Sequence, residues 1–106
     1  MTEIKKEHER DMQRKVIKYL KETLPKGESF FWKVSERFSS GIPDIVGFCR
    51  GKAFAIELKV GRNKQTELQK RTMDDMMRAG VLTAVCYSVS DVATFIEEAK
   101  LCETKK

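Results

Sequence analysis

The sequence is poor in the residues from which many sites are built. Its 106 residues include three cysteines and one histidine. Cys49, Cys86 and Cys102 are odd in number and form no Cys-x-x-Cys pair, so neither a disulfide framework nor a zinc site is suggested. Cys49 and Cys86 sit inside apolar runs and read as small core residues. His8 cannot anchor a metal cluster by itself. No apolar run approaches the roughly 20 residues of a membrane span, and the opening stretch 1–7 has no apolar centre for a signal peptide. No glycine-rich phosphate loop occurs, which leaves nucleotide hydrolysis and a nucleotide cofactor without support. There is no internal repeat, linker or low-complexity segment. These absences lead to an expectation of a cytosolic protein with no membrane partner.

What is present is charge. Charged residues make up 35% of the chain and apolar residues 41%, which suits a single domain over residues 1–106 with a small core and much exposed surface. The formal net charge is +5. Lys59, Arg62, Lys64, Lys70 and Arg71 cluster within thirteen residues against one acid, Glu67. Such clustering is a footprint for phosphate binding, and equally the composition of a solvated helix face. Charge alone leaves nucleic acid, an acidic protein or no partner open.

Residues 41–59 organise the chain. Apolar runs at 45–49 and 53–58 flank Arg50-Gly51-Lys52 and read as a β-hairpin. A two-residue loop at Arg50-Gly51 pairs Cys49 with Lys52, and the same register sets Asp44 opposite Glu57. Directly opposed residues share a sheet face with Cβ atoms roughly 4.5–5.5 Å apart. Lys59, two residues on, points the same way. Two close carboxylates repel unless a cation neutralises both. Few, hard oxygen ligands suit Mg²⁺, which keeps several waters for a substrate phosphate. The plainer alternative is a turn-capping Asp and a Glu–Lys pair on a solvated strand. The alignment of all three favours a site, and a site beside the basic cluster favours nucleic acid as its partner.

Elsewhere the periodicities are regular. Met12, Val16, Leu20 and Leu24 recur at spacing four in a helix over 4–24 that Pro25-Lys-Gly27 ends. Glu9 falls on that inward line, with Glu7 and Asp11 on the far side. Its position is explained by the helix dipole as readily as by a function. Residues 29–37 read as a strand with Phe30, Trp32 and Val34 on one face and Phe31 also buried. For Trp32, core packing is favoured over stacking on a base. Residues 38–41 read as a turn rather than a phosphate contact. Thr66 and Gln69 fit a capping box for a helix to about Ala79, ended by Gly80, with Leu68, Met73, Met76 and Ala79 inward. Residues 82–87 read as a strand buried on both faces. Ser88 or Ser90 caps a last helix carrying Val92, Phe95, Ile96 and Ala99 as its stripe. The tail 102–106 is expected to fray.

Pro-Asp44 followed by Glu57-Leu-Lys59 looks like the PD-(D/E)XK nuclease signature. The longer string Gly41-Ile-Pro-Asp44, Ala55-Ile-Glu57-Leu-Lys59 and Lys64-Gln-Thr-Glu-Leu-Gln69 resembles the VRR-NUC family, from about Glu9 to the Ser88–Asp91 region. That resemblance implies an α/β, restriction-endonuclease-like core. The element order α-β-β-β-α-β-α permits it, with a mixed sheet of about four strands flanked by helices. The resemblance also implies a Mg²⁺- or Mn²⁺-dependent DNA endonuclease. Asp44, Glu57 and the Leu58 carbonyl would be metal ligands, and Lys59 would orient or activate water. Glu9 would hold a second metal or its water shell, and Gln69 would maintain the geometry. Lys59, Arg62, Lys64, Lys70 and Arg71 would hold DNA. Standalone members of the family look like phage-borne or bacterial homodimers that resolve Holliday junctions in repair and recombination. The expected setting is therefore the cytoplasm, that of a bacterial host if the chain is phage-encoded. A flap or nicking nuclease is the nearest enzymatic alternative. A non-catalytic DNA-binding accessory that keeps the fold is the rival from another class.

Overall fold

The computed structural model describes residues 3–34 and 41–101, with the side chains of the first helix described from residue 8 onward. Expectations for residues 35–40 and 102–106, Cys102 included, lie outside them. The elements are α1 (Glu3–Thr23), β1 (Ser29–Lys33), β2 (Ile45–Cys49), β3 (Lys52–Leu58), α2 (Glu67–Arg78), β4 (Leu82–Cys86) and α3 (Val89–Glu98). The strands form one mixed sheet in the order β1-β2-β3-β4. β1–β2 and β2–β3 are antiparallel, and the α2 crossover makes β3–β4 parallel.

The hairpin takes the expected register, Cys49 with Lys52 through Ile45 with Ile56. Its loop has positive φ at both central residues, 49° at Arg50 and 82° at Gly51. This is the type I′ geometry that matches strand twist. Arg50 tolerates the left-handed conformation because Glu28 holds it from outside. Its guanidinium Nε and Nη2 each donate to the Glu28 carboxylate at 3.2 Å, and its amide donates to the Glu28 carbonyl at 2.9 Å.

Met12, Val16, Leu20 and Leu24 of the α1 line are buried with Ile45, Cys49, Phe54, Ile56 and Cys86 of the sheet and Val92, Ile96 and Leu101 of the α3 end. α1 and α3 thus cover one sheet face. α2 lies on the other, with Met73 and Met77 beside Thr83 and Val85. Ser88 caps α3 by accepting from the Asp91 amide. Cys49 and Cys86 are both buried, and burial pushes the Cys86 thiol up to about 12.

Three expectations about faces fail. Phe31, not Phe30 and Trp32, packs on the core, and the latter two are exposed on the opposite face. All three positions are apolar, so alternation gave no sign of which parity faces inward. β4 is only half-buried along most of its length and Tyr87 is exposed, because β4 is the sheet's edge. On α2, Leu68 and Ala79 are exposed and Met73 alone is buried.

Gly47 lies where β1 crosses the Phe54 ring. A Cβ there would come within 2.5 Å of the Phe30 carbonyl oxygen and 2.6 Å of the Phe31 Cβ. Neither is a flexible side-chain tip, so backbone must move. Gly47→Ala is expected to lower stability by about 3 kcal/mol, read from its urea midpoint.

Candidate active site

Asp44 stands one residue before β2, just beyond the last paired position of the hairpin, Ile45 with Ile56, and Glu57 follows Ile56 on β3. Two hydrogen bonds fix Asp44 between strands. Its carbonyl accepts from the Val34 amide at 2.7 Å, and its Oδ2 accepts from the Leu58 amide at 2.7 Å. Glu57, near the end of β3, is 3% exposed and is the one charged residue buried in the core among the described residues. Its Oε2 meets Lys59 Nζ at 3.1 Å.

Lys59 is held from a second side. Gln69 Oε1 accepts from Lys59 Nζ at 2.9 Å and from the Thr66 amide at 2.9 Å, while the Gln69 amide donates to Thr66 Oγ1 at 3.1 Å. The capping box is therefore present, and the oxygen that completes it also fixes the lysine.

Glu9, Met12 and Gln13 of α1 close the other wall of a cleft of about 140 Å³ that also contains Asp44, Glu57, Leu58, Lys59, Val60, Asn63 and Gln69. Among the described residues, no three or more His, Cys, Asp or Glu side chains gather closely enough to hold a metal. Glu9 thus borders the cleft without joining Asp44 and Glu57 in a three-acid cluster.

The electrostatics follow from the burial. Glu57 is pushed up to about 7, first by burial and then by the facing Asp44 charge, against the pull of Lys59 and the Asp44 amide. Asp44 is also raised. Burial is the main cause, opposed by the Leu58 amide, Lys59 and Lys33, with Glu9 adding repulsion. Burial thus disfavours the charged form of both carboxyls, a cost that a bound cation would offset.

Of the expected site residues, Asp44, Glu57, Leu58, Lys59, Glu9 and Gln69 meet in this one cleft. Arg62, Lys64, Lys70 and Arg71 are exposed outside it, with Lys70 3.7 Å from Glu67. The sequence reading missed Gln13 and Asn63, which line the cleft, and Lys33, whose charge reaches Asp44. Lys33 stands opposite Ile45. Only the β1–β2 register reveals that neighbour, and no short turn pins that register in the sequence.

The sequence pattern of the VRR-NUC domain matches residues 3–90. The chain belongs to the VRR-NUC family. This VRR-NUC chain is also similar in fold to a solved structure described as a VRR_NUC domain, with a TM-score of 0.68 and 24% identity over 84% of this chain and 94% of that one. No curated relative matches it. Membership makes it a nuclease-type, DNA-processing protein of a family that generally uses divalent metals. Among the described residues, no helix is long and apolar enough to cross a membrane.

Proposed function

We propose that the chain is a metal-dependent DNA endonuclease, acting as a homodimeric Holliday junction resolvase, with its active site in the Asp44–Glu57–Lys59 cleft. The observation that carries the reading is the buried Glu57 facing Asp44. A binding protein gains nothing from two acids turned toward DNA phosphates, whereas such a pair suits a divalent cation. The donor set fits Mg²⁺ or Mn²⁺: Asp44, Glu57 and the Leu58 carbonyl offer hard oxygens and leave positions for water and phosphate. When bound, the ion supplies hydroxide near neutral pH and polarises the scissile phosphate.

The chain's own residues do the positioning. Lys59 has three N–H donors. Two are engaged by Glu57 and Gln69, and the third is directed to the attacking water or the developing phosphate charge. Glu9, on the α1 wall of the cleft, would hold a second ion or its water shell. Lys59, Arg62, Lys64, Lys70 and Arg71 hold the DNA backbone, so affinity falls steeply with salt and bases are read little. Symmetric cutting of a junction needs two sites related by a two-fold, and each protomer supplies one.

The test is a panel of four-way junction, 5′ flap, plain duplex and single strand, each with Mg²⁺, Mn²⁺ or chelator, beside a Lys59→Ala control. Paired cuts on the junction that need metal and Lys59 are expected. Cleavage of flaps or duplex alone would retain the site and replace the substrate. Salt-sensitive binding without any cleavage would leave a DNA-binding accessory.

Gln69 has two duties that substitution separates. Thr66→Ala removes the cap and is expected to cost about 1 kcal/mol of stability with cleavage nearly intact. Gln69→Ala is expected to cost a similar amount and also slow cleavage at least about tenfold, since Lys59 loses its anchor. Equal cleavage by the two variants would reduce Gln69 to a cap.

A further inference from the structure

Three carboxamide residues line the cleft, Gln13, Asn63 and Gln69. Two of them are tied down. Gln69 Oε1 holds Lys59 and the Thr66 amide. The backbone of Asn63 is fixed: its carbonyl accepts from the Tyr87 hydroxyl at 2.7 Å and its amide donates to the Val60 carbonyl at 3.2 Å. Gln13 is different. It is half-buried on α1, and its side chain makes no hydrogen bond to any described residue. A carboxamide carries two N–H donors and an acceptor oxygen, and leaving them unmatched is costly unless water or a ligand meets them. Glu9 stands one turn before it. Residues at this i, i+4 spacing are neighbours, with Cβ atoms roughly 5–6 Å apart. Met12, between them in sequence, anchors this stretch of helix in the core. The α1 wall thus presents an acid and an amide to the wall that carries Asp44, Glu57 and Lys59.

We propose that Gln13 binds the DNA phosphate that Lys59 meets from the facing wall, its amide N–H groups donating to a non-bridging oxygen. The inference rests on the reading of the cleft as a nuclease active site, in that it takes the cleft to receive DNA. The chemistry of the cleft selects the donor role. Its acids, Glu9, Asp44 and Glu57, outnumber its one cation, Lys59. Ionised carboxylates and phosphate oxygens only accept hydrogen bonds, so a phosphate entering there is held by N–H groups and by a bound ion. Lys59 already spends donors on Glu57 and Gln69, and the Leu58 amide is spent on Asp44. Gln13 supplies donors that no described protein group consumes. The acceptor role is better filled by others, since the charged carboxylates are harder ligands for a divalent ion than a neutral amide oxygen.

The contact has a consequence for cutting. A single donor leaves a phosphate free to turn about it, and a second donor from the facing wall removes that freedom. In a cleft of about 140 Å³, a phosphate beside Lys59 also lies close to α1. Gln13 thereby orients the phosphate toward the attacking water, a step in which a misplacement of about 1 Å can cost a hundredfold in rate. Because Gln13 is neutral, its contact displaces no counterion, and its contribution to affinity does not depend on salt.

The experiment compares the full chain with Gln13→Ala and Gln13→Glu, both of which put good helix formers on α1. Affinity for a labelled four-way junction is read by fluorescence anisotropy across a range of salt, with Ca²⁺ in place of Mg²⁺. Mn²⁺ affinity is read by titration calorimetry without DNA. Gln13→Ala is expected to bind the junction about tenfold more weakly, the scale of a hydrogen bond to a charged group. Its slope of log affinity against log salt should equal that of the wild type, whereas Arg62→Ala should lower the slope by about 0.9. Gln13→Glu keeps the shape, loses the donors and adds a repelling charge, so it should bind at least as weakly as Gln13→Ala. Mn²⁺ affinity should be unchanged in Gln13→Ala. Wild-type affinity for DNA in Gln13→Ala overturns the assignment. So does a Mn²⁺ affinity that falls in Gln13→Ala and returns in Gln13→Glu, because Gln13 is then a ligand of the ion. Cleavage separates this inference from the enzymatic one. A wild type that binds the junction but never cuts removes the nuclease, and the two variants still decide the phosphate contact. Metal-dependent cutting with DNA affinity and rate unchanged in Gln13→Ala removes Gln13 and keeps the nuclease.

Discussion

Glu57→Gln is expected to abolish cleavage, by about 10³-fold or more, and to make the metal-free protein more stable at pH 8. The loss of activity follows from removing one of two charged oxygen donors and the partner that fixes Lys59 at 3.1 Å. The gain follows from linkage. The carboxyl has an ordinary value of 4.5 and is pushed up to about 7 in the fold. The folded state therefore binds the proton more tightly than the unfolded chain. Below pH 4.5 the glutamate imposes no such penalty. Stability is lost as pH rises from 4.5 through about 7, and above that the penalty is constant at the order of 2–3 kcal/mol. Glutamine keeps the shape and carries no charge to desolvate. Urea midpoints should be nearly equal for wild type and variant at pH 4.5 and diverge in the variant's favour by pH 8. A variant less stable than wild type at pH 8 would mean that the Lys59 pair outweighs the repulsion and burial.

The second large effect is the response to divalent ions. Mg²⁺ or Mn²⁺ at about 100 times its dissociation constant is expected to raise stability at pH 8 by about 2.7 kcal/mol, a melting shift on the order of 10 °C for a chain of this length. Protons compete for the same oxygens. With Glu57 at about 7 and Asp44 also raised, the shift should shrink as pH falls below 7 and nearly vanish by pH 5. Asp44→Asn and Glu57→Gln should each abolish it, and Glu9→Gln should only reduce it. Calorimetry with and without ions at pH 8 and pH 5 measures all of this. An undiminished shift in Asp44→Asn would put the ion elsewhere on the protein.

Both predictions concern a cleft whose centre was legible in the sequence. The two-residue loop Arg50-Gly51 fixes the hairpin register, and strand alternation then carries Asp44 to Glu57 and turns Lys59 the same way. Spacing of four along α1 put Glu9 on the inward line, and Thr66 with Gln69 declared the start of α2. Each of these signals is local: a turn, a strand period, a helix period, a cap. What only the tertiary structure decided lies between segments distant in sequence. The outward parity of Phe30 and Trp32, the approach of Lys33 to Asp44, the half-exposure of β4 and the Gln69 contact to Lys59 depend on pairings across long connections or on how α2 lies over the sheet. A run that is apolar at successive positions has no periodic contrast from which to read a face. A capping box is complete whether or not its glutamine oxygen also meets a lysine ten residues earlier. In this chain, short-range geometry set which polar groups meet in the cleft, and packing at long range determined what holds them and which apolar surface remained exposed.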